Sequence, residues 1–312
     1  MVCSVDSKCR VALISGGKSG ERDVSLSSGA CVKKALESAG LSVVPLDPAR
    51  KEDLETLVRE NFDVAFLCLH GRYGEDGTMQ GLLELLEIPY TGSGVWSSAS
   101  AMDKVKTKRI YELAGIDTPP YAVLKKEEKI DIDLVVRRVG NHAVVKASSE
   151  GSTLGLYMAE TRCGIEEAIG KAFGYGDTVL VESFVSGREF TVAVLGNKNA
   201  KALPVIEIIP RNEFYDFDAK YSPGGSRHIC PALVSEDLTF ELQRIAELAH
   251  DALECRGMSR TDFLVDGNNR VWALETNTLP GMTDTSLLPD AARAVGLSYQ
   301  DLCVKLLSLA LE

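Results

Sequence analysis

The 312-residue sequence predicts an α/β protein of three lobes, beginning with a parallel sheet covered by helices and ending on antiparallel strands. Three observations carry that expectation. Strand-like and helix-like segments alternate through the first hundred residues, starting from VALIS at 11–15. From Arg188 onward the pattern changes to apolar runs joined by short polar turns, as antiparallel pairing requires. The length is ample for two or three compact domains. Its 45% hydrophobic and 25% charged residues are ordinary globular composition, which sets aside disorder, collagen and coiled coil.

Each element has a local reason. VALIS is a short apolar strand that runs into the glycine-rich GGKSGERD, and a helix follows through Cys31 to Ser38. Gly40 then stands where a helix C′ glycine belongs. A strand at 43–46, a helix at 51–60, a buried-type strand at 64–69, the loop HGRYGEDG and a helix around 80–87 complete the alternation. In such a sheet, ligand groups collect on the loops after the strand C-termini. Small residues dominate 93–98, 102–113 reads as a helix ending at Gly115, and Pro119-Pro120 forms a connector. Strands at 142–146 and 179–184 flank a helix near 165–173. EFTVAVLG, a turn at 197–199 and KALPVIEII then read as an antiparallel pair, and Leu238, Leu242, Ile245, Ala249 and Leu253 have helical spacing. The division by chain order is 1–100, 101–185 and 186–312.

Charge and cysteine usage narrow the partners. With 34 basic and 45 acidic residues the formal net charge is −11, which argues against a general nucleic-acid binder but leaves room for a small phosphate ligand held by a few lysines. The eight cysteines form no CxxC pair, and Cys68 inside VAFLCLHG reads as a buried free thiol. The N-terminus is too polar for a signal peptide, and the longest apolar run, 64–69, is about a third of a membrane span. No membrane insertion and a reducing cytoplasm are expected.

The motifs differ in weight. GGKS at 16–19 is not a P-loop, because the glycine required five places before the GK pair is Ala12, and no GxGxxG opens the first helix. What remains there is a loop with Glu21, Arg22 and Asp23 at a helix mouth. In HGRYGEDG the glycines suit turns, while His70, Glu75 and Asp76 crowd one sheet edge. The most informative segment is RTDFLVDGNNRVWALETNTLPG, at 260–281. Its DGNN turn makes a hairpin, on which Phe263, Val265, Trp272 and Leu274 are expected to share the core face. The opposite face then collects Arg260, Asp262, Glu275 and Asn277, a set of hard oxygen ligands suited to magnesium together with substrate phosphates. A solvated hairpin face is the plainer reading of the same alternation. Beyond it a helix begins near Ser286, either as simple capping or as N–H groups at Ser286 and Leu287 offered to a carboxylate. Lys146 ends a strand and precedes ASSEGSTLG, whose small residues let amides close over phosphates. Lys104 alone would pass for surface, and EFYDFDAKYS could sandwich a nucleobase or be core.

In series, these segments resemble the D-alanine–D-alanine ligases of the ATP-grasp superfamily. GGKSGERDVSLSSG, LHGRYGEDGTMQG, IPYTGSG with AMDKVKTK, VKASSEGSTLG, VESFVSGREFTV, FYDFDAKYS, RTDFLVDG and LETNTLPGMTDTSLLP occur in the family's order, from about Val11 to Leu302. The resemblance implies an N-terminal Rossmann-like lobe followed by a two-lobed ATP-grasp fold. It makes Lys104 and Lys146 the lysines on the ATP phosphates, Glu182, Ser183, Phe184 and Val185 the adenine hinge, Glu189 the ribose contact and Phe214 an adenine-packing aromatic. Asp262, Glu275 and Asn277 match ligands for two magnesium ions, or manganese. Ser152, in the loop over the phosphates, would join Glu21 and Tyr221 in a hydrogen-bonded set that orients the first D-alanine.

The implied reaction has two steps: ATP phosphorylates the carboxylate of one D-alanine, and the amine of a second attacks the acyl phosphate. Arg260 and the Gly281 N–H would stabilise the oxyanion, Lys220 with Ser286 and Leu287 would hold the second carboxylate, and His70 would lie near the incoming amine. Two positions depart from the family pattern: Ala147 follows the phosphate lysine in place of proline, and Thr153 stands where serine is frequent. Tyr221 and Leu287 favour a dipeptide product, D-alanyl-D-alanine, with a D-serine acceptor as the alternative. Another ATP-grasp ligase would lack the DVSLSSG and HGRYGEDG loops, a nicotinamide dehydrogenase would need the missing glycine fingerprint, and a non-catalytic amino-acid binder would have no use for the carboxylate hairpin. A homodimer is the family expectation.

Overall fold

The computed structural model describes residues 8–148, 155–210 and 226–312, which build three sheets. The first is parallel: β1 (Arg10–Ile14) lies between β2 (Ser42–Leu46) and β3 (Val64–Leu67), with α1 (Arg22–Ser38), α2 (Lys51–Arg59) and α3 (Thr78–Leu85) as connections and covers. Val11 to Ile14 and all of β3 are buried, so both strands are uniformly apolar, whereas the edge strand β2 is mixed. Loops 16–21 and 68–77 follow β1 and β3 at the C-terminal edge of this sheet.

The second sheet is antiparallel, in the order β4 (Tyr121–Lys125), β7 (Thr178–Ser183), β5 (Ala143–Ala147), β6 (Leu156–Ala159). Ahead of it come α4 (Val95–Met102) and α5 (Lys104–Ala114), and one of its faces is closed by α6 (Ile132–Val139) and α7 (Arg162–Ala172). The helix expected at 102–113 is α5, and it starts two residues later, because the Asp103 carboxylate accepts the N–H groups of Val105 and Lys106 and caps it after the separate α4. Gly115 ends α5 in the left-handed conformation, as its position implies. Strands β4 and β6 and helices α4 and α6 go beyond the sequence reading; each is too short for its periodicity to stand out.

The third sheet is led by β8 (Gly187–Gly196). β12 (Gly257–Asp266) pairs it on one side and β10 (Ile206–Pro210) on the other, with β11 (Ser226–Ile229) outside β10 and β13 (Val271–Asn277) outside β12. KALPVIEII is not one strand. Pro204 has no N–H to give, so a two-residue β9 (Lys201–Ala202) ends before it and β10 starts after it. Helix α8 (Glu236–Ala252) buries Leu242, Ile245, Ala246 and Ala249 on one side of the sheet. On the other side lie α9 (Leu287–Ala294) and α10 (Tyr299–Ala310), which close the gap to the first sheet.

Packing does not follow chain order everywhere. Ala101, Tyr111 and Ile116 are buried with Phe190, Val192 and Phe263, so α4 and α5 lean on the third sheet although they precede the second. Leu302, Cys303, Leu306 and Leu307 of the last helix share a core with β1 and β3. The chain therefore returns to its first lobe at its end, tying loops 16–21 and 68–77 to the segment after β13. Cys68 is buried and free, as expected, and among the described residues no helix is long and apolar enough to cross a membrane.

Candidate active site

The hairpin β12–β13 is the centre of the site, and its register answers the sequence expectation in two halves. Arg260 pairs with Asn277 and Asp262 with Glu275, so the polar four do meet on one face. Nearer the turn the register slips by one residue, and Phe263 pairs with Ala273 and Val265 with Val271. The core face is thus Phe263, Val265, Val271 and Ala273, all buried, and the expected Trp272 and Leu274 are not part of it. The cause is a bulge at Leu274: one extra residue lets both the site and the core keep their own alternation. Trp272 instead donates Nε1–H to Asp266 at 3.0 Å, beneath the guanidinium of Arg270.

On the polar face Asp262 is nearly buried and fully engaged. It accepts two hydrogen bonds from Arg260, at 2.9 and 2.8 Å, and one from the Thr191 hydroxyl at 2.6 Å. Asn277 approaches the same carboxylate at 3.4 Å. Behind them a hydroxyl chain runs from Tyr111 on α5 to Thr276 at 2.6 Å and on to Thr261 at 2.8 Å. It fixes the hairpin against the helix that carries Lys104.

That helix start brings the first lysine in. Lys104 Nζ lies 3.6 Å from Glu275, and its backbone N–H donates to Ser148 O at 3.0 Å. The Ser148 hydroxyl donates to Asp103 at 2.6 Å, closing a loop that joins the end of β5 to the cap of α5. Lys146, two residues earlier on β5, makes an ion pair with Glu182 of β7, and Lys108 meets the same carboxylate from its other oxygen. Burial works to protonate Glu182, but the two ammonium groups outweigh it and hold the carboxylate below its ordinary value. Beyond Glu182, the N–H groups of Ser183 and Phe184 are taken by the Pro120 and His142 carbonyls, and the Phe184 ring stacks on His142 at 3.8 Å. Val185 is half-buried at the end of this segment, and Glu189 sits on β8 opposite Leu264.

The first lobe contributes the opposite wall. Glu21 precedes α1, and its carboxylate lies against Gly71: a Cβ there would come within 3.3 Å of Oε2, and φ is +66° besides. His70 is buried, and its Nε2 makes no hydrogen bond with any described residue. Burial lowers its pKa, with Glu21 pulling upward and Arg260 downward, so the ring is held neutral. Glu75 accepts the Gly71 N–H at 2.7 Å, and burial, then the Glu21 carboxylate, pushes its pKa to about 8. Asp76, from the same motif, braces the loop by accepting the N–H groups of Tyr73 and Thr78.

The segment after β13 packs on the first lobe, with Leu279 and Met282 in the core shared by β1 and β3. Gly281 packs so closely on Ser286 that a Cβ would lie 2.9 Å from its hydroxyl oxygen. That oxygen is anchored by the Thr283 N–H at 3.0 Å and the Thr283 hydroxyl at 2.7 Å. Ser286 is the N-cap of α9, so the first N–H groups of the helix, Leu287 onward, face the loop while the Leu287 side chain is buried. Met282 is tied to the first lobe and to the last helix: its N–H donates to Ser28 of α1 at 3.3 Å, and its carbonyl accepts from Tyr299 of α10 at 2.5 Å.

The structure therefore joins Lys104 to Glu275, Lys146 to Glu182, Arg260 to Asp262 and Asn277, and Gly281 to Ser286, and sets Glu21 beside His70 within the field of Arg260. Ser152, Phe214, Lys220 and Tyr221 lie outside the described residues. The sequence reading left out Asp103, Lys108 and Thr191, and it named Glu75 without giving it a place in the site. Lys108 had one visible signal, its position four residues after Lys104; the others depend on what folds over them.

A four-stranded antiparallel sheet carrying Lys146, beside a second antiparallel sheet with a carboxylate hairpin and behind a parallel N-terminal lobe, is the arrangement of an ATP-grasp fold. Residues 49–93 match the family model for the D-ala D-ala ligase N-terminus and residues 110–308 that for the D-ala D-ala ligase C-terminus. The D-alanine–D-alanine ligase of Syntrophobacter fumaroxidans is 49% identical over 309 residues, 98% of each chain, and that of Geobacter sulfurreducens 47% identical over 300 residues, 96% of this chain and 93% of the other. The crystal structure of the Bacillus anthracis ligase matches at TM-score 0.85 and 34% identity, covering 97% of both chains. A structure of that ligase complexed with ATP matches at TM-score 0.85 and 32% identity, again covering 97% of both. This chain belongs to the D-alanine–D-alanine ligase family.

Proposed function

We propose that the protein ligates two D-alanine molecules to D-alanyl-D-alanine at the expense of ATP, for peptidoglycan precursor synthesis in the cytoplasm. The observation that carries this reading is that Lys104, Lys146 and Arg260 gather about the Asp262–Glu275–Asn277 face, with Glu21 and His70 within the field of Arg260. Phosphoryl transfer and acyl transfer are both served by positioned charge rather than by a protein nucleophile. Lys104 and Lys146 bind the phosphates, together with Ser152. Glu182 to Val185, Glu189 and Phe214 hold the nucleoside.

The oxygen donors suit magnesium. Asp262, Glu275 and Asn277 are hard ligands on neighbouring cross-strand positions and would hold the metal together with phosphate oxygens of the nucleotide. Bound there, two magnesium ions, or manganese, offset phosphate charge.

Glu21, with Ser152 and Tyr221, holds the ammonium group of the first D-alanine, and its carboxylate attacks the γ-phosphorus of ATP to give the acyl phosphate and ADP. The second D-alanine is held through its carboxylate by Lys220 and the N–H groups at Ser286 and Leu287. His70, whose burial favours the neutral ring and whose buried Nε2 makes no hydrogen bond with a described residue, would accept a proton from the incoming amine. Attack on the acyl carbon builds an oxyanion, for which Arg260 and the Gly281 N–H are the donors, and phosphate leaves as the peptide bond forms. A homodimer is the proposed assembly.

The test is phosphate release from ATP and magnesium with D-alanine, L-alanine, D-lactate or D-serine offered. D-alanine alone should sustain release and yield dipeptide. Release that ignores D-alanine, or phosphate without dipeptide, would sink the proposal, and equal turnover with added D-serine would replace the product assignment.

A further inference from the structure

Lys108 is as buried as any lysine among the described residues, at 1% exposure, and Glu182 beside it is at 2%. A buried charge is retained only where it is compensated, and here two ammonium groups share one carboxylate. The two are not equivalent. Lys108 is sealed in: its ammonium also donates to the Thr118 hydroxyl, which in turn donates to the Ala273 carbonyl at 2.8 Å on β13. The neighbouring Pro120 carbonyl accepts the Ser183 N–H at 2.8 Å, so Lys108 is fixed by the connector, the metal-face strand and the hinge together. Lys146 keeps 15% exposure and lies within the field of Glu275 on the hairpin face. On the sheet Val144 is the direct partner of Glu182, and Lys146, two residues on, is its diagonal neighbour on the same face.

We infer that Lys108 is a positioning residue of the nucleotide site: as the permanent counter-ion of Glu182, it leaves the charge of Lys146 available for a phosphate. Glu182 is the one carboxylate ion-paired to both lysines, with Glu275 acting on Lys146 and Glu112 on Lys108 only through space, and the sealed partner is the one that stays. When the nucleotide arrives, Lys146 turns to the phosphate while Glu182 remains neutralised by Lys108. Without Lys108, Glu182 would be a buried carboxylate with Lys146 as its main cation, and turning that lysine to the nucleotide would strand the carboxylate. Burial draws Lys108 below its ordinary value, and Glu182 opposes the change.

The inference rests on Lys146 being a phosphate lysine, so the experiment tests the two separately. Affinities of the full-length enzyme for adenosine and for a non-hydrolysable ATP analogue with magnesium are measured by calorimetry, and their ratio reports the phosphate contribution. Lys146→Ala should lower the ratio; an unchanged ratio removes the reading of Lys146 and the inference with it. Given that result, Lys108→Met should weaken analogue binding about tenfold, the scale of one weakened charged contact, with adenosine affinity nearly unchanged. The double variant K108M/E182Q should restore the ratio, because no carboxylate then competes for Lys146. A wild-type ratio in Lys108→Met, or an equal loss of both ligands as a merely structural role would give, overturns the inference alone. If the single variant does not fold, the double variant decides: a ratio at the wild-type level supports the role, and a ratio about tenfold lower refutes it.

Discussion

Replacing Asp262 with Asn changes one charge and almost no volume at the most tightly bonded carboxylate of the site. Asp262 accepts two Arg260 donors at 2.9 and 2.8 Å and the Thr191 hydroxyl at 2.6 Å, distances in the charge-assisted range. Breaking a buried pair by removing one charge costs about 3–5 kcal/mol. The side chains here retain 14% and 9% exposure, which puts the expected loss at the lower end, about 3 kcal/mol. Most of that is the guanidinium left facing a neutral amide. Arg260→Gln in the same chain should therefore recover roughly 2 kcal/mol of stability, a coupling well above the ~0.5 kcal/mol scatter of independent sites. Denaturant unfolding of wild type, both single variants and the double variant supplies the cycle, and phosphate release with D-alanine is followed in parallel. Stability should return in the double variant while turnover stays abolished, separating the structural use of the pair from its proposed chemistry. Additive stabilities would refute the ion-pair argument, and recovered turnover would refute the roles assigned to both residues.

Other expectations follow from neighbouring features. Glu275→Gln should abolish turnover while leaving the unfolding curve close to wild type, since Glu275 is half-exposed and its Lys104 contact is a loose 3.6 Å; retained activity would remove it from the metal face. Gly281→Ala would place a Cβ 2.9 Å from the anchored Ser286 hydroxyl, an overpacking of about 1–3 kcal/mol that should displace the α9 start. Steady-state kinetics should then show KM for D-alanine rising more than KM for ATP, and equal rises would count against that loop as the amino-acid site. His250 is buried against Ser259 at 2.7 Å, and burial lowers its pKa to about 4. The unfolded chain binds a proton there near pH 6.5 and the folded protein does not, so this group's contribution is complete above about pH 6.5 and is lost as pH falls toward 4. Over that window the loss reaches about 3 kcal/mol, and His250→Gln should flatten the stability–pH curve by that amount; parallel curves would mean the ring is not held neutral.

Motifs whose chemistry depends on near neighbours were legible from residue order. The hairpin is the clearest case: alternation alone put Arg260, Asp262, Glu275 and Asn277 on one face, because cross-strand pairing next to a short turn leaves few registers. The same reasoning failed a few residues away, at Leu274, because a bulge adds a residue without leaving a mark in the pattern. Pro204 and Asp103 were readable as breaks in principle, yet which of two adjacent turns a capping residue serves is settled by packing. Glu75 looked like a turn charge beside Asp76, and only enclosure beside Glu21 and Arg260 distinguishes the two.

Local spacing was thus enough for the order of the lobes, the strand and helix types around each motif, and the polar face of the hairpin, since these depend on periodicity and backbone chemistry within a dozen residues. It could not say that Lys108, Lys146 and Glu182 would be buried together, that α5 would lean on the third sheet, or that the last helix would close the first lobe. Those depend on which surfaces exclude water from one another, and burial is what turns an ordinary lysine or carboxylate into a group whose charge must be answered by a particular partner.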